Sequence, residues 1–171
     1  MYESMFGNTQ AIAQAVAEGL SARMRVDVVE VGAAPEAIDD EVDLLVVGGP
    51  THAFGMSRPR TRQDAARQTE DGLVSTGIGL REWLAALRQG SARAAATFDT
   101  RINKPRLPGS AARRAEKLLR GLGFRIVARP ASFYLAESLG PLIGGEGERA
   151  GSWGKEIGAK LVATQRRRRV S

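Results

Sequence analysis

Residues 44–47 read Leu-Leu-Val-Val, an apolar run with no polar position between Asp43 and Gly48. A strand with one solvated face alternates polar and apolar residues, so this run predicts a strand that is buried on both faces. Strands of this kind belong to parallel sheets, in which the connecting helices cover the two faces. The run therefore restricts the fold to an α/β sheet between two layers of helices.

The rest of the chain alternates helical and strand-like patterns in the order that such a fold needs. Helices are predicted over residues 11–23, 63–69, 79–88, 111–122 and 148–162, and strands over 25–31, 42–48, 94–98 and 125–135 with a break at Pro130. The polar segments 55–79, 99–109 and 140–147 are predicted to be mainly loops. Trp83 and Trp153 are expected to pack in the core, whereas the place of Tyr134 is left open.

Composition narrows the function classes. The chain has 171 residues, 43% of them hydrophobic, which suits one soluble domain with a sizeable core. Cysteine is absent, which excludes disulfides and thiolate chemistry and favours a cytoplasmic location. No apolar run is long enough to cross a bilayer, so membrane insertion is not expected. The single histidine, His52, excludes a multi-histidine metal site.

The net charge of +6 is concentrated at one end, because residues 166–169 are four arginines. We expect a domain over residues 1–162, followed by a disordered basic tail over residues 163–171. No aromatic residue is interleaved with the arginines to stack on a base. Nucleic-acid binding is therefore not expected.

A short polar turn, Ser4-Met5-Phe6-Gly7-Asn8-Thr9, leads directly into the first predicted helix. Free backbone N–H groups, small hydroxyls and the positive end of a helix dipole would meet there, and this combination suits a phosphate monoester. The turn contains no Lys or Arg, so hydrogen bonds and the dipole would hold the anion. An ordinary helix N-cap is the alternative interpretation.

Two further segments follow predicted strands. The first is Pro50-Thr51-His52-Ala53-Phe54-Gly55, where His52 or Phe54 could stack on a flat ring; the second is Phe98-Asp99-Thr100-Arg101. Ligands of open parallel sheets bind outside the carboxyl ends of the strands, so both segments and the polar turn are expected to converge. His52 as a structural contact and Asp99 as a helix or turn cap remain alternatives.

These motifs, in this order, resemble the flavodoxin family over nearly the whole chain. The polar turn is similar to the phosphate loop of that family, and Gly48-Gly49-Pro50-Thr51 is similar to its second flavin loop. The resemblance implies a flavodoxin-like, doubly wound parallel sheet with three layers (α/β/α), non-covalent FMN, and electron transfer with a redox partner protein. It implies that Ser4, Gly7, Asn8 and Thr9 hold the phosphate, and that Met5 and Phe6 belong to the same cofactor-binding turn, although Phe6 stands where the family often has a hydroxyl. It also implies that the following residues border the ring: Pro50, Thr51, His52, Ala53, Phe54, Gly55, Phe98, Asp99, Thr100 and Arg101. No residue is assigned to catalysis or to a metal.

The resemblance also shows departures. An apolar strand should precede Tyr2, whereas only Met1 does, so we expect the central first strand to be truncated and the native start to lie upstream. The form Ser-Met-Phe-Gly is similar to the quinone-reductase branch of the family.

Two alternatives to an electron carrier therefore stay open. One is an FMN-dependent NAD(P)H:quinone oxidoreductase, in which Arg58, Arg60, Arg62 and Arg67 receive the phosphates of the nucleotide or an acidic partner, unless they form only a solvated surface. The other is an interaction module of the same fold without flavin. Homo-oligomerisation is left open.

Overall fold

The computed structural model describes residues 1–52, 55–88, 92–104 and 108–170, with side chains up to residue 165. Its helices are α1 (Asn8–Ser21), α2 (Pro59–Ala66), α3 (Leu80–Ala86), α4 (Ala111–Gly121) and α5 (Glu146–Val170), and a 3-10 turn covers Val31–Ala33. Its strands are β1 (Leu44–Pro50), β2 (Ala94–Ile102), β3 (Arg125–Ile126) and β4 (Ala131–Leu135).

The sheet is parallel, and β2 lies at its centre. β1 pairs with β2 over its full length, from the Leu44–Ala94 pair to the Pro50–Thr100 pair. On the other side, β3 pairs with the first two residues of β2, and β4 pairs with the segment that begins at Phe98. β3 and β4 are thus two halves of one edge strand, and the predicted break at Pro130 is confirmed.

Helices cover both faces of this sheet, as predicted. On one face α3 and α4 enclose a core that contains Trp83, which has no exposed surface. On the other face α1 and α5 enclose a second core, in which Trp153 meets the rings of Phe98 and Phe133 edge to face at centroid distances of 6.2 and 6.1 Å. Both tryptophans therefore pack as predicted.

Residues 1–3 occupy the place of a strand between β1 and residues 29–31. Tyr2 forms parallel bridges to Glu30 on one side and to Gly48 on the other. The predicted strand over residues 25–31 is wrong as a regular strand, because its neighbour in the sheet is only three residues long. Val26 and Val28 have high β propensity but belong to no ladder among the described residues.

Several element boundaries differ from the predicted ones. β2 continues four residues past Phe98, and α2 begins at Pro59, since proline suits the first position of a helix. α5 continues to Val170, so residues 163–170 extend the helix instead of forming a separate tail; Ala, Gln and Arg all favour helix there. Among the described residues, no helix combines the length and apolar character needed to cross a membrane.

Glycines set the distance between α1 and α5. Gly19 of α1 faces α5: a Cβ atom there would lie 2.1 Å from the carbonyl oxygen of Gly151. A Cβ atom at Gly154 would lie 2.4 Å from the carbonyl oxygen of Val16. The two helices therefore meet backbone to backbone.

The buried α-amino group of Met1 makes the stability of this chain depend on pH. It donates a hydrogen bond of 3.0 Å to the carbonyl oxygen of Val46, and burial lowers its pKa from 8.0 to about 6. Between these two values the unfolded state binds more protons, so the free energy of unfolding falls as the pH falls from 8 to 6. Two pKa units correspond to a loss of about 2.7 kcal/mol.

Denaturant unfolding at pH 8.5 and at pH 6 measures this loss. His52 also has a lowered pKa and adds to the loss of unfolding free energy below pH 6.5. The informative quantity is therefore the difference in this loss between the protein with a free Met1 amine and a protein in which that amine is blocked. Protein acetylated at the Met1 nitrogen is the control, because its nitrogen does not titrate. Equal pH dependence in both proteins would rule out the amine as the cause.

Candidate functional site

The polar turn before α1 leaves four successive amides free. Gly7 precedes the helix with φ of +84°, a left-handed conformation that glycine adopts without strain. The first helical hydrogen bond runs from the amide of Ala11 to the carbonyl of Gly7, so the amides of the first turn have no helical acceptor. Within the described residues, the amides of Phe6, Gly7, Asn8 and Thr9 donate to no protein group.

Hydrogen bonds to distant segments hold this turn in place. Ser4 and Ser75 exchange two of them: the Ser4 amide donates to Ser75 Oγ at 2.9 Å, and the Ser75 amide donates to the Ser4 carbonyl at 2.8 Å. Asn8 Nδ2 donates to the carbonyl of Leu139 at 2.9 Å. The side-chain oxygen of Ser4 accepts the amide of Gln10 at 3.3 Å. The free amides therefore belong to a fixed loop.

The ends of β1 and β2 meet this turn, as the sequence predicts. The hydroxyl groups of Thr9 and Thr100 form a buried hydrogen bond of 2.7 Å between α1 and β2. The amide of Thr51 donates to the carbonyl of Thr100 at 2.9 Å, which joins the ends of the two strands. Hydrogen bonds thus join the polar turn, the end of β1 and the end of β2 to one another.

A cleft of about 310 Å³ opens at this junction. Its lining includes ten of the predicted site residues: Ser4, Met5, Phe6, Asn8, Thr9, Pro50, Thr51, His52, Thr100 and Arg101. Gly7 adjoins them in the turn. His52 and Gly55 exchange two backbone hydrogen bonds of 2.8 and 2.6 Å beside the cleft. The predicted residues Ala53 and Phe54 lie outside the described residues.

Two predicted ring-bordering residues lie elsewhere. Phe98 is in the middle of β2 and packs in the core beneath α5, because the strand does not end there. Asp99 is buried on the opposite face, where its carboxylate accepts hydrogen bonds from Thr51 Oγ1 at 2.9 Å, Ser110 Oγ at 2.5 Å and the Ala112 amide at 3.1 Å. Asp99 therefore stabilises the start of α4, in agreement with the alternative interpretation of this residue as a helix or turn cap.

The sequence did not predict that α2 lines the same cleft. Thr61, Asp64 and Ala65 of α2 line it, together with Gln68 in the turn that follows, and all four recur at the three- and four-residue spacing of a single helix face. That spacing is the signal that could have placed them. Ile102, Leu135 and Ser138 also line the cleft, and no pattern in their own segments indicates it.

Buried polar contacts fix α2 over the cleft. Arg62 Nη1 donates to Ser57 Oγ at 3.0 Å and to Glu82 Oε2 at 3.1 Å. Ser57 in turn donates to the buried carboxylate of Glu3, which also accepts the amide of Leu80 at 2.8 Å. The guanidinium of Arg62 thus binds groups within the protein and does not form part of an open phosphate-binding surface, whereas Arg58 and Arg60 are exposed.

Burial also changes the ionisation of two groups near the cleft. It raises the pKa of Glu3, although hydrogen bonds from Ser57 and Leu80 act in the opposite direction. Burial, with the positive charge of Arg62 as a smaller cause, lowers the pKa of His52 below its usual value of 6.5. His52 is therefore neutral at pH 7.

Comparison with solved structures gives likenesses across nearly the whole chain. A flavodoxin from Streptococcus pneumonia TIGR4 superposes with a TM-score of 0.64 at 18% identity and covers 93% of this chain and 95% of its own. Flavodoxin 1 from Bacillus cereus gives 0.61 at 17%, covering 95% and 94%. A flavodoxin, WrbA-like protein from Agrobacterium tumefaciens gives 0.58 at 16%, covering 95% and 94%. At identities this low the structural likenesses establish only the fold, and they confirm the predicted flavodoxin-like architecture.

Sequence comparison identifies the family. No curated protein sequence gives a significant match. The family model described as flavodoxin matches residues 1–153, which include the polar turn, both strand ends and α2. The chain therefore belongs to the flavodoxin family.

Proposed function

We propose that this chain binds FMN non-covalently in the cleft and transfers electrons between redox partner proteins. The observation that carries this proposal is the run of four free amides, Phe6 to Thr9, at the start of α1 and at the edge of the cleft. At family level, flavodoxins are FMN-binding electron-transfer proteins, so the family assignment supports the same conclusion.

The donor set fits a phosphate monoester. Consecutive amides at a helix N-terminus point one way and add the positive end of the dipole, which favours an anion. A Cβ atom built on Gly7 meets no atom within 4 Å, so the space above the turn is open to a ligand. Asn8 and Thr9 occupy the first turn of α1, where their amides would bind the phosphate oxygens.

The remainder of the cleft fits a flat ring. Its volume of about 310 Å³ is at the lower end of the range for small-molecule sites. Phe6 and His52 line it together with the polar face of α2. Bound there, FMN would supply an acceptor and donor of one or two electrons. The chain's part is to bind and orient the cofactor, exclude water beneath α2, and keep an uncharged imidazole at His52 beside it.

Reduction of the FMN-loaded protein tests this function. An anaerobic titration with NADPH as electron donor and a catalytic amount of a flavoprotein reductase, followed by visible absorbance, should show that the protein-bound cofactor accepts electrons and passes them to a cytochrome. FMN added without the protein is the control for free cofactor. A protein that stays colourless after incubation with FMN and gel filtration would contradict the proposal and favour the flavin-free module.

A second candidate function is NAD(P)H:quinone oxidoreduction. The observation that favours it is the exposure of Arg58 and Arg60 at the start of α2, next to the cleft, since arginine binds phosphate through paired N–H groups. Steady NADPH oxidation with a benzoquinone acceptor, without a partner reductase, would distinguish an enzyme from a carrier.

In that case the Arg60→Ala variant should raise the KM for NADPH several-fold and leave FMN affinity unchanged. Arg23→Ala removes the same charge from the exposed far end of α1 and is the matched control. Unchanged KM in the Arg60 variant would remove this residue from the nucleotide site.

A further inference from the structure

Three arginines from the starts of three different helices lie near one another. Arg58 precedes α2, Arg81 is the second residue of α3, and Arg114 is the fourth residue of α4. Burial lowers the pKa of the Arg81 guanidinium, and the positive charges of Arg58 and Arg114 act in the same direction. Both charges therefore lie within electrostatic range of Arg81. We call these three residues the arginine cluster.

The arginine cluster lies beside the cleft that we propose for FMN. The amide of Arg58 donates to Thr61 Oγ1 at 2.9 Å, and Thr61 lines the cleft. The amide of Ala111 donates to Thr51 Oγ1 at 2.9 Å, and Thr51 also lines the cleft. The starts of α2 and α4 thus present Arg58 and Arg114 on the surface next to the cleft.

Backbone carbonyl groups fix the central member of the cluster. Arg81 Nε donates to the carbonyl of Ser57 at 3.2 Å, and Arg81 Nη2 donates to the carbonyl of Met56 at 3.1 Å. Arg81 is half-buried, whereas Arg58 and Arg114 are exposed. The carbonyl groups orient the guanidinium but do not neutralise its charge, so the cluster keeps three positive charges.

Nearby carboxylates are bound elsewhere. Among the residues that the structure describes, no carboxylate forms a salt bridge with a member of the cluster. Glu82 pairs with Arg62 at 3.1 Å and accepts the amide of Gly79 at 2.9 Å. Burial raises the pKa of Glu3, which favours the neutral form of that side chain. The positive charge of the cluster is therefore left for a partner.

Exposure and spread make this cluster suit a protein surface better than a small anion. A small-molecule site buries most of its ligand, whereas two of these three arginines are exposed and all three stand on separate helices. The chain also has a net charge of +6, and such a field speeds the approach of negatively charged proteins. A partner with a carboxylate-rich face would complement the cluster.

We propose that the arginine cluster docks the carboxylate-rich face of an acidic electron-transfer protein and holds that protein beside the cleft. This inference rests on the proposed function, because docking at this place serves electron transfer only when the cleft holds FMN. Arg58 and Arg114 would supply most of the steering, since their charges are exposed, and Arg81 would fix the centre of the surface.

Binding of cytochrome b5, an acidic haem protein, tests the docking surface. The variant Arg58→Gln/Arg114→Gln removes two charges from the cluster, and Arg23→Gln/Lys160→Gln removes two exposed charges beyond α1 and in the second half of α5 as the matched control. In surface plasmon resonance at about 10 mM ionic strength, the cluster variant should associate with cytochrome b5 about tenfold more slowly than the parent. The control should stay within about twofold, and the difference should vanish at about 0.5 M salt.

Stopped-flow kinetics with the FMN-loaded protein, reduced by dithionite, measures the consequence for electron transfer. Each haem iron(III) of cytochrome b5 takes one electron from the reduced FMN and becomes iron(II). The second-order rate constant should fall about tenfold in the cluster variant, and the rate with basic cytochrome c should not fall. The FMN content of the cluster variant should equal that of the parent, because none of the three arginines lines the cleft.

The two measurements separate failure of the docking surface from failure of the proposed function. A parent chain that binds no FMN would overturn the proposed function, whereas the binding of cytochrome b5 is measured without the cofactor and still decides the docking surface. Equal association of cytochrome b5 with both double variants, or with the cluster variant and the parent, would overturn the docking surface. Unchanged association with cytochrome b5 together with lost binding to phosphatidylserine vesicles, or with a raised KM for NADPH, would assign the cluster to a membrane or a nucleotide instead.

Discussion

Replacing Asn8 with Asp is expected to weaken FMN binding by about a hundredfold, or about 2.8 kcal/mol, without weakening riboflavin binding. Asn8 is the first residue of α1, and its own amide is one of the four free donors. A carboxylate at this position repels the phosphate dianion of FMN, whereas riboflavin carries no phosphate. Fluorescence titration with the two ligands measures both affinities.

The same substitution should leave the fold intact, because a negative charge in the first turn of a helix is favourable. The Asn8 hydrogen bond to Leu139 is exposed, so its loss is a small cost. Gln14→Glu is the control: it changes the net charge equally from the exposed face of α1 and should preserve FMN affinity. Equal losses of FMN and riboflavin affinity in Asn8→Asp would show that the anion site lies elsewhere.

Replacing Gly19 with Ala should lower the free energy of unfolding by about 3 kcal/mol. The added methyl would lie 2.1 Å from a backbone oxygen of α5, and backbone atoms yield less readily than the end of a side chain. The two helices must therefore separate and lose contact along their interface. Urea unfolding followed by circular dichroism measures the change.

Gly147→Ala provides the matched control within α5. A Cβ atom there meets no atom within 4 Å, and the residue is exposed. Alanine favours helix over glycine, so this variant should be as stable as the parent or up to about 1 kcal/mol more stable. If Gly19→Ala also retained full stability, the close contact between α1 and α5 would be refuted.

The sequence predicts the fold because its strongest signals are local. The run at residues 44–47 and the helix faces of α1 and α4 follow from side-chain periodicity, and the break at Pro130 follows from a missing N–H group. The strand over residues 25–31 fails as a prediction since a strand also needs a partner. Residues 25–31 have a high β propensity, but the hydrogen bonds that would make them a strand depend on residues 1–3.

The sequence predicts those parts of the candidate site that have a local sequence motif. It does not predict the residues whose position depends on contacts with distant parts of the chain. The turn from Ser4 to Thr9 contains its glycine and its helix start, so its role follows from local sequence. Asp99 looks like the start of a loop but is buried within β2, where Thr51 and Ser110 donate hydrogen bonds to one oxygen of its carboxylate. Those partners are 48 and 11 residues away, beyond the reach of a local pattern.

The most direct test of the central claim is an NMR titration of the ¹⁵N-labelled protein with FMN. If backbone amides bind the phosphate, the amide protons of Phe6, Gly7, Asn8 and Thr9 should shift downfield with FMN and much less with riboflavin. Shifts confined to the exposed arginines of α2, or equal shifts with both ligands, would contradict the claim that the turn before α1 binds the phosphate.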